Sequence, residues 1–312
     1  MDPIIRLEQL NHRSAHIDHI PLELFGQGQG TLDLLREDQV FEAIPGNKLR
    51  KLIHNISYII KEGPLALLTF GGAYSNHIAA VAAAGHHFGI KTIGIIRGEE
   101  LANQSIRNAT LSKAQAQGMD LYFVDRATYR QKDTLKNQAL WQEKFGPCVI
   151  VPEGGTNALA VQGCRDMMAT IGQDFDVLAV AVGTGGTLAG MLQGLAPHQI
   201  AMGFSALKSY DHTPLIKAFS PMDQCTLIGD YHFGGYAKVT LELIEFINTF
   251  KERTGIGLDP IYTGKMMFGL LEMIKKDSQL KTKRIMAVHT GGRQGVDGVN
   301  LELARKGWPQ IK

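Results

Sequence analysis

Cysteine is scarce in this chain, with three in 312 residues (Cys148, Cys164 and Cys225), and they are widely separated. That excludes a disulfide framework and a Cys-rich zinc site. A reducing compartment suits such usage, so a cytoplasmic location is expected. There is no excess of charge of either sign: 32 Lys and Arg face 30 Asp and Glu, a formal net charge of +2. This balance offers no electrostatic footprint to nucleic acid or to an anionic membrane. No apolar run approaches the roughly 18 residues of a transmembrane helix. The opening Met1-Asp2-Pro3-Ile4-Ile5-Arg6 lacks the apolar core of a secretory signal. Metal motifs are missing as well. His12 and His16 have the spacing of one helix face, but no His-Glu-x-x-His pattern accompanies them and Pro21 follows closely, so no metal is expected.

Glycine is what the chain has in excess. It supplies 35 residues, about 11% of the total against a usual value of about 7%. Many of these glycines are paired, the mark of close backbone approaches. Elsewhere, helical and strand-like segments alternate. Helices are expected over 49–61, 75–89, 101–118, 129–145, 159–170, from 188, over 239–253 and over 265–276. Strands are expected over 65–70, 91–96, 121–124, 148–151, 177–182, 200–206 and 285–289. Residues 1–40 and 208–236 show no clear pattern. Alternation of this kind predicts βαβ units and mostly parallel sheets, in two α/β blocks meeting near residue 154. Three glycine-rich turns fall at strand ends: Gly71-Gly72, Gly183 to Gly186 and Gly291-Gly292. Ligands of open α/β sheets bind at such ends, so the turns are expected to line one cleft.

Three segments carry candidate chemistry. The stretch Gly183-Thr184-Gly185-Gly186-Thr187 runs from a strand into a helix. Its backbone N–H groups and threonine hydroxyls suit a terminal phosphate. It is not a dinucleotide fingerprint, because Leu188 stands where the last glycine belongs, and it is not a P-loop, because no Gly-Lys-Ser/Thr follows. Taken alone it would also serve a non-catalytic protein binding a phosphate-sugar or nucleotide. Lys48, in Gly46-Asn47-Lys48-Leu49-Arg50-Lys51-Leu52, precedes an apolar helix. The field of a helix start lowers the pKa of an amine and favours Schiff-base chemistry; the plain reading is a solvated basic turn. Ser75 and Asn76, in Gly71-Gly72-Ala73-Tyr74-Ser75-Asn76-His77, are helix caps on the plain reading. On the other reading, they touch a bound ring or carboxylate. No Gly-x-Ser-x-Gly elbow surrounds Ser75, so a hydrolase triad is excluded.

Together these segments resemble the fold type II enzymes that use pyridoxal 5'-phosphate, and within them the group of 1-aminocyclopropane-1-carboxylate (ACC) deaminase and D-cysteine desulfhydrase. The matching pieces are GNKLRKL (46–52), GGAYSNH (71–77), PEGGTNALAVQG (152–163), VGTGGTLAG (182–190), GGYA (234–237), LDPIYTGKMMFGL (258–270) and HTGG (289–292). They occur in the family's order and cover most of the chain. The resemblance implies two α/β domains like those of the tryptophan synthase β-subunit, with open, twisted, mostly parallel sheets and helices on both faces. With the composition break near Gly154 it implies a smaller domain over 49–154 and a larger one from 1–48 and 155–312. It also implies a homodimer.

Residue by residue, Lys48 falls at the family's Schiff-base lysine and Asn76 at the residue bonding the cofactor's ring hydroxyl. Ser75 falls at the serine near the substrate carboxylate. Gly183, Thr184, Gly185, Gly186 and Thr187 fall at the phosphate cradle, Tyr236 and Tyr262 at the paired active-site tyrosines, and Thr263 at the position facing the pyridine nitrogen. Two departures lean one way. Thr263 stands where ACC deaminases carry Glu, and His77 stands where they carry Gln. A neutral alcohol is a poorer support for a protonated ring than a carboxylate, which suits loss of a good leaving group over ring opening. The implied activity is a lyase or deaminase acting on a small amino acid, D-cysteine desulfhydrase-like, yielding pyruvate, ammonia and sulfide. ACC deaminase is the alternative, and an amino-acid racemase a further one. Around Tyr236 the family's Gly-Tyr-Gly-x-Pro is replaced by Gly-Gly-Tyr-Ala-Lys, a departure among the substrate contacts.

Overall fold

The computed structural model describes residues 2–102 and 108–312. Among them, ten strands build two sheets. The larger has the order β1 (Ile17–Pro21), β2 (Thr31–Leu35), β10 (Ile285–Val288), β7 (Val177–Val182), β8 (Ile200–Ser205), β9 (Cys225–Ile228). Only the β1–β2 pair is antiparallel. The smaller sheet, β5 (Met119–Val124), β4 (Thr92–Arg97), β3 (Ala66–Gly71) and β6 (Cys148–Val151), is wholly parallel.

Parallel strands covered on both faces read as unbroken apolar runs, and these do. Along β3, Ala66, Leu68 and Phe70 enter one core with Trp141 and Tyr129, while Leu67 enters another with Ile78 and Ile56. Along β7, Val177, Ala179 and Ala181 pack with Leu270 and Ile247, while Leu178, Val180 and Val182 pack with Leu188 and Met167. The two-residue period of a strand sends alternate side chains to opposite helix layers.

The structure departs from expectation in several places, among them the C-terminal helix Val296–Arg305, where no element was expected. Residues 1–40 contain a helix (Pro3–Asn11) and the β1–β2 hairpin. The edge strand β1 is Ile-Asp-His-Ile-Pro, too polar to stand out. The helix stops at Asn11, so His12 and His16 do not share a helical face. The span 208–236 contains a helix (Thr213–Lys217) and the four-residue edge strand β9. The single helix expected over 129–145 is two, Arg126–Arg130 and Leu135–Phe145. Asp125 caps the first, accepting from the N–H of Ala127 (2.7 Å), and Thr134 caps the second. The helix expected over 101–118 is observed at Ala109–Ala116, and 103–107 lie outside the described residues. No described helix is long and apolar enough to cross a membrane.

Candidate active site

A cleft of about 1030 Å³ lies between the two sheets, at the carboxyl ends of their parallel strands. The turn after β3 supplies Ser75, Asn76 and His77, the turn after β7 supplies Gly183 and Thr184, and Lys48 projects into it from the helix Asn47–Glu62. A smaller adjoining pocket shares Lys48, Asn76, Gly183, Thr184 and Tyr262 and adds Gly185 and Thr187.

The lysine helix is pinned at its first turn. The N–H of Asn47 donates to the carbonyl of Thr290, just past β10 (3.2 Å), and Asn47 Nδ2 donates to Thr187 Oγ1 (2.8 Å). Gly46 caps it at φ +74°, and a Cβ there would stand 2.0 Å from the Thr290 carbonyl oxygen. Only glycine combines that backbone angle with that contact. Lys48 is thereby held between the ends of β7 and β10.

Lys48 Nζ faces the carbonyl of Gly154 at 3.4 Å. The same carbonyl accepts from Lys51 Nζ at 2.6 Å, and Lys51 also donates to Thr156 Oγ1 at 3.0 Å. Burial lowers the Lys48 amine to about 8. Desolvation, more than the helix field expected from sequence, is the main cause. Lys51 is held well below the ordinary lysine range by burial and then by the neighbouring Lys48. Sequence reasoning read Lys51 only as part of a basic turn and His77 only as a departure from ACC deaminases, and gave neither a place among the site residues. His77 is 2% exposed, and among the described residues neither ring nitrogen has a hydrogen-bond partner. Burial, then Lys48 and Lys51, hold it neutral, well below the usual imidazole pKa. Its ring lies against Gly155, where a Cβ would stand 2.7 Å from Cε1. The paired glycines of 154–155 were a signal that something large approaches the backbone there.

The two tyrosines meet edge to face, with ring centroids 6.3 Å apart. Tyr236 is 48% exposed at the mouth. Tyr262 lies deeper, its ring against Gly183, whose Cβ would be 3.0 Å from Cε1. Burial, then the neighbouring Tyr236, push the Tyr262 phenol well above 10, so it is protonated at neutral pH. Ser75 Oγ caps the helix Asn76–Phe88, accepting from the N–H of Ile78 (3.2 Å), while its residue lines the cleft. The plain capping reading holds for Ser75, and the residue also lines the cleft. Thr184 and Thr156 join hydroxyl to hydroxyl at 2.8 Å.

Thr263 is different from the rest. It is fully buried, and its hydroxyl donates to Asp259 Oδ2 at 2.5 Å and accepts from the Asp259 N–H at 3.0 Å. The expected set is otherwise brought to the cleft or to its smaller neighbour, with Gly186 buried at the helix start beside them.

These residues fit an aldehyde cofactor bearing a phosphate. A desolvated amine stands at one end, and a glycine turn free of side chains, with threonine hydroxyls, stands close by. His77, whose buried ring nitrogens have no hydrogen-bond partner among the described residues, belongs to the lining of the same cleft. The class that fold and site define is the fold type II pyridoxal-phosphate enzymes. The family described as "Pyridoxal-phosphate dependent enzyme" matches residues 34–291, and the chain belongs to it. Its cofactor is pyridoxal phosphate. The chain is similar to a D-cysteine desulfhydrase of Yersinia pestis, 30% identical over 82% of this chain and 85% of that one. It is also similar to the mitochondrial bifunctional D-cysteine desulfhydrase/1-aminocyclopropane-1-carboxylate deaminase of Arabidopsis thaliana, 28% identical over 93% of this chain and 80% of that one. Among solved structures, an ACC deaminase homologue is similar at a TM-score of 0.79 and 25% identity, covering 97% of this chain and 99% of that chain.

Proposed function

We propose that this enzyme is a lyase/deaminase acting on a small amino acid, with D-cysteine desulfhydrase-like β-elimination as its reaction. One cysteine and one water give pyruvate, ammonia and hydrogen sulfide. The observation that carries the reading is Lys48: a buried amine, lowered to about 8, held at the cleft between two sheets in a chain of this cofactor family.

Lys48 is proposed to hold the cofactor aldehyde, Gly183 to Thr187 its phosphate, and Asn76 its ring hydroxyl. When bound, pyridoxal phosphate supplies the electron sink for the carbanion formed at the substrate Cα. Ser75 orients the substrate carboxylate. The Lys48 amine removes the Cα proton. Tyr262, protonated at neutral pH, is the donor to the departing thiolate, and Tyr236 screens the mouth and orients that group. The proposal includes the division into domains at 49–154 and at 1–48 with 155–312, a homodimer and a cytoplasmic setting; a sedimentation mass of one chain counts against the dimer.

A second reading, ACC deaminase, has one specific observation in its favour. Thr263 is bonded to a carboxylate, Asp259, so an acid stands one hydrogen bond behind the alcohol. Purified enzyme offered D-cysteine and ACC in parallel separates the two: sulfide with pyruvate supports the first, α-ketobutyrate the second. Chiral analysis of recovered substrate reveals a racemase. Lys48→Ala is expected to lose the visible absorbance of the purified protein and at least about 10²-fold in kcat. Full activity in that variant ends the assignment.

A further inference from the structure

The motif Asp259-Pro260-Ile261-Tyr262-Thr263-Gly264-Lys265 contains a lysine that the mechanism above does not use. Lys265 is 2% exposed, three residues beyond Tyr262 on the helix Thr263–Lys276. Its Nζ donates to the carbonyl of His232 (2.9 Å) and to that of Gly235 (2.7 Å). Burial lowers this amine to about 8. Placing a lysine there has a desolvation cost, and what it achieves is to tie down one loop.

That loop carries Tyr236, and its backbone is held in unfavourable conformations. Phe233 and Ala237 have φ of +51° and +55°, and Gly234 and Gly235 between them have +93° and +111°. Left-handed angles in non-glycine residues persist only where the surroundings over-determine them. The two carbonyls that Lys265 binds bracket the Phe233-Gly234 turn and end at the residue before Tyr236. The loop also rests on the same helix through Phe233 against Phe268, with ring centroids 4.9 Å apart. One helix therefore begins directly after Tyr262 and bonds the Tyr236 loop through Lys265.

We propose that Lys265 is the positioning residue for Tyr236, setting its ring against Tyr262 by clamping the His232 and Gly235 carbonyls to the helix that Tyr262 precedes. The inference rests on the proposed role of Tyr236, and the test separates the two. With 3-fluorotyrosine at position 236 of the full-length holoenzyme, one sharp fluorine resonance is expected, displaced or split by Lys265→Met. Lys265→Gln, shorter by one bond but still a donor, is expected to fall between. An unmoved resonance in both variants overturns the clamp. In a double-mutant cycle on keto-acid release from D-cysteine, or from ACC if that proves the substrate, Lys265→Met is expected to lower kcat by as much as about 10²-fold, the scale of a misplaced group. In a Tyr236→Phe background it is expected to cost nothing further. Fully additive losses overturn the action through Tyr236. If Tyr236→Phe is itself fully active, the role given to Tyr236 fails, and the resonance alone decides the clamp.

Discussion

A single amine illustrates how burial sets chemistry. Lys48 sits at about 8 because it is desolvated. It is charged below that value and neutral above it, and only the neutral amine attacks an aldehyde. Loading of the cofactor-free enzyme with pyridoxal phosphate, followed by visible absorbance, is expected to speed up through pH 8 and then level off. A rate still climbing past pH 10, as for a solvated lysine, contradicts the burial. The same shift has a stability consequence. Between about 8 and the unfolded value of 10.5 the unfolded chain binds more protons at Lys48 and Lys265, so stability rises with pH across that window. Sequence made Lys48 visible because it stands in a glycine-flanked motif. Lys51 and His77 were in plain view within the same motifs, but their importance lies in sharing the Gly154 carbonyl and in facing Gly155, neighbours about 80 to 100 residues away. Thr263 shows the reverse. Its position in the motif was legible, whereas its commitment to Asp259 is a matter of side-chain geometry.

The helices and turns hold these side chains by close backbone contact. The lysine helix packs on the helix Ala158–Met168 so tightly that a Cβ on Gly163 would stand 2.0 Å from the carbonyl oxygen of Arg50. Gly163→Ala must push the two helices apart. It is expected to destabilise by about 1–3 kcal/mol, the usual cost of overpacking, and to lower cofactor content, because Lys48 moves with its helix. A thermal melt and a visible spectrum of the variant check both, and an unchanged melting temperature speaks against the tight packing. On its other side the helix is fastened by Arg50, fully buried, which forms two 2.9 Å bonds to Glu37 and bonds the carbonyls of Asn11 and Arg13. Most helices and strands were legible, since their apolar periods are long and regular. The Pro3–Asn11 and Val296–Arg305 helices, the β1–β2 hairpin, β9 and the Thr213–Lys217 helix were not. The strands and the Thr213–Lys217 helix are four or five residues long, so no period develops, and β1 and β9 form at the two edges of the sheet by pairing with β2 and β8.

At the scale of the molecule, the cleft draws on both sheets, and in the proposed seat a cofactor spans the turn after β3, the turn after β7 and the lysine helix at once. Removing it with hydroxylamine and dialysis is expected to lower the melting temperature by several degrees, since a ligand at 100 times its Kd adds about 2.7 kcal/mol; re-addition of pyridoxal phosphate restores it. Equal melting temperatures for the two forms contradict a cofactor seated across these elements. Most of the strands and helices and the glycine turns were determined by local pattern, because period and backbone freedom are properties of neighbouring residues. The pairing of β2 with β10 across the chain, the lowered amines, the orphaned imidazole and the clamp on Tyr236 were decided only by tertiary structure. Burial and desolvation belong to what surrounds a residue in space, and no stretch of sequence contains its own surroundings.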